Sequence, residues 1–350
     1  MKIGIIVGKS SEEFLTEGVE LNVPKKYMVD GVVHTDVAIA YTIKRRYTDI
    51  DVDIILPKDI SLQRLKKNDI NYIMGYDYIS ALNDAPYVAK FSGKGADKID
   101  KMYENPNSKV FPSYSFLDFI WNKQKYLEKL QKNGVRINPT IFLKQNTNVK
   151  KLIQQIQKYK WDQFIIKPNG GTEGLGLGKF SLNKVLSDPS ELQEYFDANE
   201  DLYNGFLVQN KLKGFYQYGE VKSYWFDGKF SYAVNINDKN TDPEVMYDDK
   251  YHVREIIDED ILKECKRIGE KVMKIIPKIS FNKKRVLPTM VRIDFGCCID
   301  NKATKAPNFF VNEIEHQDAC PYVHFPNVKY PYVEVMADTM VKKCQELKLN

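Results

Sequence analysis

Two segments combine residue types that suggest chemistry: Met290-Val291-Arg292-Ile293-Asp294-Phe295-Gly296 and Phe309-Phe310-Val311-Asn312-Glu313-Ile314-Glu315. Both alternate with the two-residue period of a β-strand, so Arg292 and Asp294 share one face, as do Glu313 and Glu315. If the strands pair, three carboxylates and an arginine gather on one patch. Such a patch repels itself unless a cation sits in it. Mg²⁺, which takes hard oxygen ligands in octahedral geometry, would bridge the carboxylates to bound phosphates. The flanking Val291, Ile293, Phe295, Phe310, Val311 and Ile314 show that the other face is buried. A solvated sheet face of alternating charge fits the same pattern, so the two strands alone leave both readings standing.

The second constellation is Lys167-Pro168-Asn169-Gly170-Gly171-Thr172-Glu173-Gly174-Leu175-Gly176-Leu177-Gly178, five glycines in nine positions directly after an apolar strand. Glycines let backbone N–H groups approach and cradle phosphate oxygens, and a lysine at the strand end adds a compact positive charge. The competing reading is a flexible surface loop. A dinucleotide fingerprint does not fit, because Lys179-Phe180-Ser181-Leu182 reads as a returning strand where that motif needs a helix. A strand-loop-strand flap over phosphates is the better picture. Gly8-Lys9-Ser10 lacks the earlier glycine of a P-loop, that position being Ile3.

The elements that must position these residues follow from periodicity. Strands expected at residues 3–7, 52–56 and 70–74 alternate with helical patterns at 36–46 and 62–67, the signature of a small parallel α/β domain. A turn-rich stretch at 104–112 closes it. Apolar residues at helical spacing predict one helix over 115–132, ended by Gly134 and Pro139. A strand at 140–143, a helix at 149–159 and a strand at 163–167 lead into the glycine loop. Asp227-Gly228 between apolar runs at 221–226 and 229–234 predicts a hairpin with a type I′ turn, since both central residues need positive φ. A helix at 258–276, strands at 290–299 and 309–315, and a helix at 333–347 complete the chain.

Composition narrows the classes of function. No apolar run in the 350 residues approaches the eighteen or so that a membrane span needs. The first residues suit a buried strand better than a signal peptide, so a cytoplasmic location is expected. Five cysteines show no C-x-x-C pair, which argues against structural zinc and a disulfide framework. The net charge of +5 comes from basic and acidic residues mixed throughout, without a nucleic-acid-binding stripe.

Taken in order, the pieces from about residue 122 to 315 resemble the ATP-grasp superfamily, in particular carboxylate-amine ligases such as glutathione synthetase and D-alanine:D-alanine ligase. Asn122-Lys123, then Gly134-Val135 and Pro139-Thr140, is similar to the family's lysine-bearing helix and its exit. The resemblance implies that Lys123 and Lys167 contact phosphates and that Gly170, Gly171, Thr172, Gly174 and Gly176 belong to the closing loop. It implies a hinge meeting the adenine edge at Leu207-Val208-Gln209-Asn210-Lys211-Leu212, with Gln209 to Leu212 as its nucleotide contacts. A ribose-binding acid is implied at Glu220, metal ligands at Asp294, Glu313 and Glu315, and an arginine on the transferring phosphate at Arg292. Lys222, two residues from Glu220 on the same strand face, becomes a candidate phosphate contact, the bland alternative being a solvated hairpin lysine. His316 and Asp318 are read as surface or substrate-facing residues.

The chain departs from the family pattern twice. Glu315 stands where asparagine is common, adding negative charge that favours a second ion or Mn²⁺. Asn210 stands where glutamate is frequent, which shifts adenine selection toward backbone groups. The implied architecture is a mixed α/β and α+β ATP-grasp fold with a parallel N-terminal domain. That domain would span 1–112 and hold substrate, a central lobe 113–205 would carry the glycine loop, and a C-terminal lobe 206–350 would carry the hinge and metal site. The implied activity is a Mg-ATP-dependent, ADP-forming ligase that joins small-molecule or peptide carboxylates to amines through an acyl phosphate. A small-molecule kinase sharing this ATP site, and a nucleotide-binding regulatory protein without turnover, are the alternatives.

Overall fold

The computed structural model of the chain describes residues 1–8, 21–29, 31–74, 102–170, 174, 176–212, 214, 218–237, 252–298, 308–317 and 319–348. The N-terminal unit opens on β1 (Lys2–Ile6). A small ribbon of β2 (Met28–Val29) and β3 (Val32–Val33) then leads to α1 (Thr35–Arg46), β4 (Asp51–Ile55), the single turn α2 (Leu62–Leu65), β5 (Ile70–Ile73) and β6 (Val110–Phe111). Strands β4-β1-β5-β6 form one sheet, all pairs parallel. Ile3, Ile5, Ile54, Ile70 and Tyr72 are buried within it, as near-continuous apolar runs in a parallel sheet require.

The expected single helix over 115–132 is two: α3 (Tyr114–Trp121) and α4 (Lys123–Lys132). Asn122 leaves helical geometry at φ −96°, ψ 90°, and its side chain accepts from Lys125 N, capping the second helix. Periodicity survived the break because Phe116, Phe119, Leu127 and Leu130 still face one core.

The central sheet has the order β7-β10-β8-β9, every pair antiparallel, from β7 (Thr140–Lys144), β8 (Gln163–Pro168), β9 (Gly178–Ser181) and β10 (Gly205–Asn210). Helices α5 (Val149–Tyr159), α6 (Leu182–Ser187) and α7 (Ser190–Asn199) fill the sequence between these strands. One face packs Ile166, Phe164, Phe206 and Val208 against Leu152, Ile156, Leu192 and Phe196 in a separate core. The opposite face carries Lys167, Leu207 and Gln209.

The third sheet, β13-β12-β11-β16-β17, comprises β11 (Glu220–Phe226), β12 (Lys229–Asn237), β13 (His252–Glu255), β16 (Met290–Cys298) and β17 (Asn308–Glu315). The predicted hairpin joins β11 and β12, with Asp227 and Gly228 at φ +47° and +78°. Helix α8 (Glu259–Ile275) crosses the far face, and Gly269 lets it approach so closely that a Cβ there would lie 2.1 Å from the Trp225 ring. After the small hairpin of β14 (Ile279–Phe281) and β15 (Lys284–Val286), the chain ends in α9 (Tyr332–Leu347). Arg46 of α1 and Tyr47 just after it donate to Asp338 of α9, and Tyr72 of β5 donates to the Met340 carbonyl. These contacts fasten the N-terminal sheet to the C-terminal sheet's flank.

Candidate active site

Antiparallel pairing of β16 with β17 sets Arg292 opposite Glu315 and Asp294 opposite Glu313. One ligand oxygen each from Asp294, Glu313 and Glu315 lies within 4.8 Å of the others. Neighbouring cations hold these carboxylates. The Arg292 guanidinium contacts Asp294 at 2.8 Å and Glu315 at 2.8 Å, while Lys222 Nζ reaches Asp294 at 2.7 Å and Glu220 at 2.7 Å. Lys222 is buried, so the solvated hairpin lysine does not describe it. Burial and Arg292 work against its ammonium, yet Asp294 and Glu220 prevail and raise its pKa.

A β-bulge shapes this floor. Asp294 pairs with Glu313, but Phe295 pairs with Val311, leaving Asn312 as an extra residue on β17. The bulge brings the Asn312 side chain onto the same floor as Glu313. Its Nδ2 donates to Glu220 Oε1 at 2.8 Å and its Oδ1 accepts from Lys167 Nζ at 3.1 Å. Glu220 is thereby gripped at both oxygens, by Asn312 and by Lys222. Sequence alternation alone assigns Asn312 to the opposite face, which is why it was not among the expected site residues.

The two phosphate-lysine candidates converge from different elements. Lys167, at the end of β8, lies 3.6 Å from Glu313, and Lys123 lies 3.4 Å from the same Oε1. The break at Asn122 makes this possible, because it places Lys123 at the first position of α4. Asn169, just after β8, accepts from Gln124 N through its side chain and from Lys123 N through its carbonyl. It ties the start of α4 to the strand end bearing Lys167. Burial lowers the pKa of Lys167, opposed by Glu313. Burial would raise the pKa of Glu313, but Lys123 and Lys167 hold it down at about 2.

Of the glycine loop, Gly170, Gly174 and Gly176 lie among the described residues; Gly171 and Thr172 lie outside them. Gly176 has φ +72°, and a Cβ there would stand 2.7 Å from Pro168 Cγ. The Tyr195 hydroxyl donates to its carbonyl, anchoring the return of the loop. Of the hinge residues, Gln209, which is buried, and Asn210 close β10, and Lys211 and Leu212 follow it: the Asn210 carbonyl accepts from Asn138, Lys211 N donates to the Gln163 carbonyl at 3.0 Å, and Lys211 and Leu212 are half-buried. They share the central sheet with Lys167, not the sheet of the carboxylates.

His316 is buried, contrary to the expected surface position, and sits against the Trp121 ring; burial pushes its imidazole down to about 3. The apolar neighbours of β17 draw it inward. Asp318 lies outside the described residues. Gln317, unexpected from sequence, is buried and donates to the carbonyls of Ile73 and Phe111, at the ends of β5 and β6.

The donor set fits a hard divalent cation: three carboxylates in mutual reach, with no sulfur or imidazole among the grouped ligands. Glu315 makes the case sharper. Burial, reinforced by the charges of Asp294 and Glu313, pushes its carboxyl up to about 7 despite Arg292. A third carboxylate crowded in this way is relieved by a cation.

No family profile matches the chain, and no curated protein sequence does. Solved structures do match. A structure described as D-cycloserine synthetase DcsG is 11% identical over 98% of this chain and 100% of its own, with a TM-score of 0.65. D-alanine–D-alanine ligase from Bacillus anthracis complexed with ATP is 15% identical over 99% and 98%, TM-score 0.61. ATP-grasp ligase PsnB complexed with a minimal precursor is 12% identical over 97% and 98%, TM-score 0.61. This chain therefore has the fold of ATP-grasp ligases.

Proposed function

We propose that the chain is an ADP-forming, Mg-ATP-dependent ligase that joins a carboxylate to an amine through an acyl phosphate. The observation that carries this reading is the meeting of Lys123 and Lys167 on Glu313, beside the Asp294 and Glu315 carboxylates and Arg292. Four acids, Glu220, Asp294, Glu313 and Glu315, face four bases, Lys123, Lys167, Lys222 and Arg292. The bases keep the carboxylates from repelling one another, and the pair resting on Glu313 is placed to turn toward phosphate oxygens. The fold is that of ligases whose descriptions name ATP and precursor substrates.

Asp294, Glu313 and Glu315 would hold Mg²⁺, or Mn²⁺ given the extra charge of Glu315, and the bound ion would neutralise phosphate charge. Lys123 and Lys167 would orient the γ-phosphate and Glu220 would accept from ribose hydroxyls. A substrate carboxylate oxygen attacks the γ-phosphorus, and the bond to ADP breaks. An amine nitrogen then attacks the acyl carbon, phosphate leaves with the bridging oxygen, and the amine gives up a proton. Arg292 would steady the charge on the transferring group. No enzyme nucleophile is required.

The acid would sit where β5 and β6 end, the usual ligand edge of an open parallel sheet. Gln317 ties that edge to β17, in keeping with residues 1–112 as the substrate domain; because β10 (Gly205–Asn210) lies between β7 and β8, the glycine-loop lobe runs past the expected boundary at 205 to about 210, and the metal-bearing lobe follows it. Amino acids and short peptides are the substrate class, in a cytoplasmic setting where ATP and Mg²⁺ abound. The test is a screen of acid and amine pairs for stimulated ADP release, with Glu313→Gln as the background. A pair that raises wild-type release alone supports the reading; failure of every pair to exceed the variant's background removes it.

A further inference from the structure

The side chain of Gln317 joins two strands that lie 244 and 206 residues away from it in the chain. Its Nε2 donates to the Ile73 carbonyl at 2.7 Å and to the Phe111 carbonyl at 3.1 Å, the last residues of β5 and β6. Two acceptors fix the orientation of the amide, because only its NH₂ end can face both. A single bond would let the sheet swivel about it. Bonds to two neighbouring strands fix the angle as well as the distance. Gln317 is 2% exposed, so little water competes for either bond.

The other end of this bracket is the proposed metal site. Glu315 closes β17, and two residues of chain span at most about 7 Å, so Gln317 starts within that distance of the last carboxylate. The segment between them is braced. His316 is buried with its ring 6.1 Å from that of Trp121, and Ala319 N donates to the His316 carbonyl at 3.0 Å. The bonds that Tyr72, Arg46 and Tyr47 make run to α9 on the flank instead. Gln317 thus acts where the ligand edge of the parallel sheet meets the carboxylates.

We propose that Gln317 is a positioning residue: its two hydrogen bonds set the reach from the β5–β6 edge to the carboxylates, and so keep the acid, not water, in line with the γ-phosphorus. The inference rests on the ligase reading above. In the coupled reaction the acid's carboxylate oxygen bonds to the γ-phosphorus as the bond to ADP breaks. When the edge swings away, a water oxygen takes that place, ADP and phosphate leave, a proton is released and no acyl phosphate forms. A misplacement of about 1 Å costs an oriented reaction on the order of 100-fold, whereas water needs no holding and loses little. Misplacement therefore shows as uncoupling, beyond any slowing of turnover.

The test uses the full chain with Mg-ATP, an equimolar mixture of the common amino acids and their glycyl dipeptides, and hydroxylamine. The hydroxylamine nitrogen attacks the acyl carbon, displaces phosphate and loses a proton, leaving a hydroxamate. Hydroxamate formed per ADP released is the readout, since unfolded protein lowers both and leaves their ratio alone. Wild type is expected to form the two in step. Gln317→Met, which keeps the length and loses the donors, should lower the ratio ~10-fold while Mg-ADP binds by calorimetry as it does to wild type. Tyr72→Phe removes the bond to the Met340 carbonyl on the flank; it should lower the melting temperature and leave the ratio unchanged. Gln317→Asn, one methylene short of the carbonyls, replaces a Met variant that does not fold and should lower the ratio by less. An unchanged ratio in a folded Gln317 variant, or an equal fall in Tyr72→Phe, overturns the inference alone. Wild-type ADP release without hydroxamate, or no release at all, overturns the ligase reading and the inference with it.

Discussion

Lys222 and Asp294 form an ion pair at 2.7 Å between Nζ and Oδ2, with side chains 3% and 0% exposed. The pairing of β11 with β16 places them directly opposite each other. Arg292 and Glu220 complete the cluster, so each charge has a partner in a medium that would otherwise reject it. The ion pairs hold the carboxylates in a fixed arrangement.

Removing one member of that pair leaves a buried charge uncompensated. Lys222→Met is expected to lower stability by about 3–5 kcal/mol. Urea unfolding would show a lower midpoint at unchanged slope. A loss below about 1 kcal/mol would mean that water reaches the pair.

Glu313 is the counter-charge shared by Lys123 and Lys167. Glu313→Gln keeps the shape, removes one carboxylate of the proposed metal site and leaves two lysines facing a neutral amide. ADP-forming turnover should fall ~100-fold or more, with the melting temperature shifted by only a few degrees. Retained turnover would exclude Glu313 from the reacting centre.

Asn312 holds Glu220 and Lys167 in register through hydrogen bonds of 2.8 and 3.1 Å. Asn312→Leu fills a similar volume without either bond. The KM for ATP should rise ~10-fold with a smaller change in kcat, because uniform binding is what is lost. A fall in kcat at constant KM would assign Asn312 to the transition state instead.

Two carboxylates far from the site report on pH. Burial would raise Asp227 and Asp53, but the hydrogen bonds from Lys343 to Asp227 and from Arg64 and Asn68 to Asp53 outweigh it and hold both below the usual range. A depressed carboxyl contributes stability that is complete above its unfolded pKa, near 4, and is lost as pH falls through the folded value. Asp227→Asn and Asp53→Asn should each lower the melting temperature at pH 7, and the deficit should shrink below about pH 4. A deficit independent of pH would show that charge is not what these residues contribute.

Much of this was legible in the residues. The alternation around Arg292, Asp294, Glu313 and Glu315 fixes strand faces, because period two follows from the pleat alone. Asp227-Gly228 announces its turn because few other pairs tolerate two positive φ values. The break at Asn122 was not legible, since core-facing positions on both sides keep helical spacing and only the capping by Asn122 and Asn169 interrupts the helix. Asn312 was hidden for a related reason: a bulge is a mismatch between two strands and leaves no mark on either. The burial of Lys222 and His316 depends on which sheet faces them, and that is decided by residues far away in sequence.

The most direct test of the central claim is chemical trapping. The full chain, incubated with Mg-ATP, a substrate acid that stimulates ADP release, and hydroxylamine in place of the amine, should form the acid's hydroxamate in step with ADP. A stable phosphomonoester in its place, or ADP release with no hydroxamate, would contradict an acyl phosphate formed at this site.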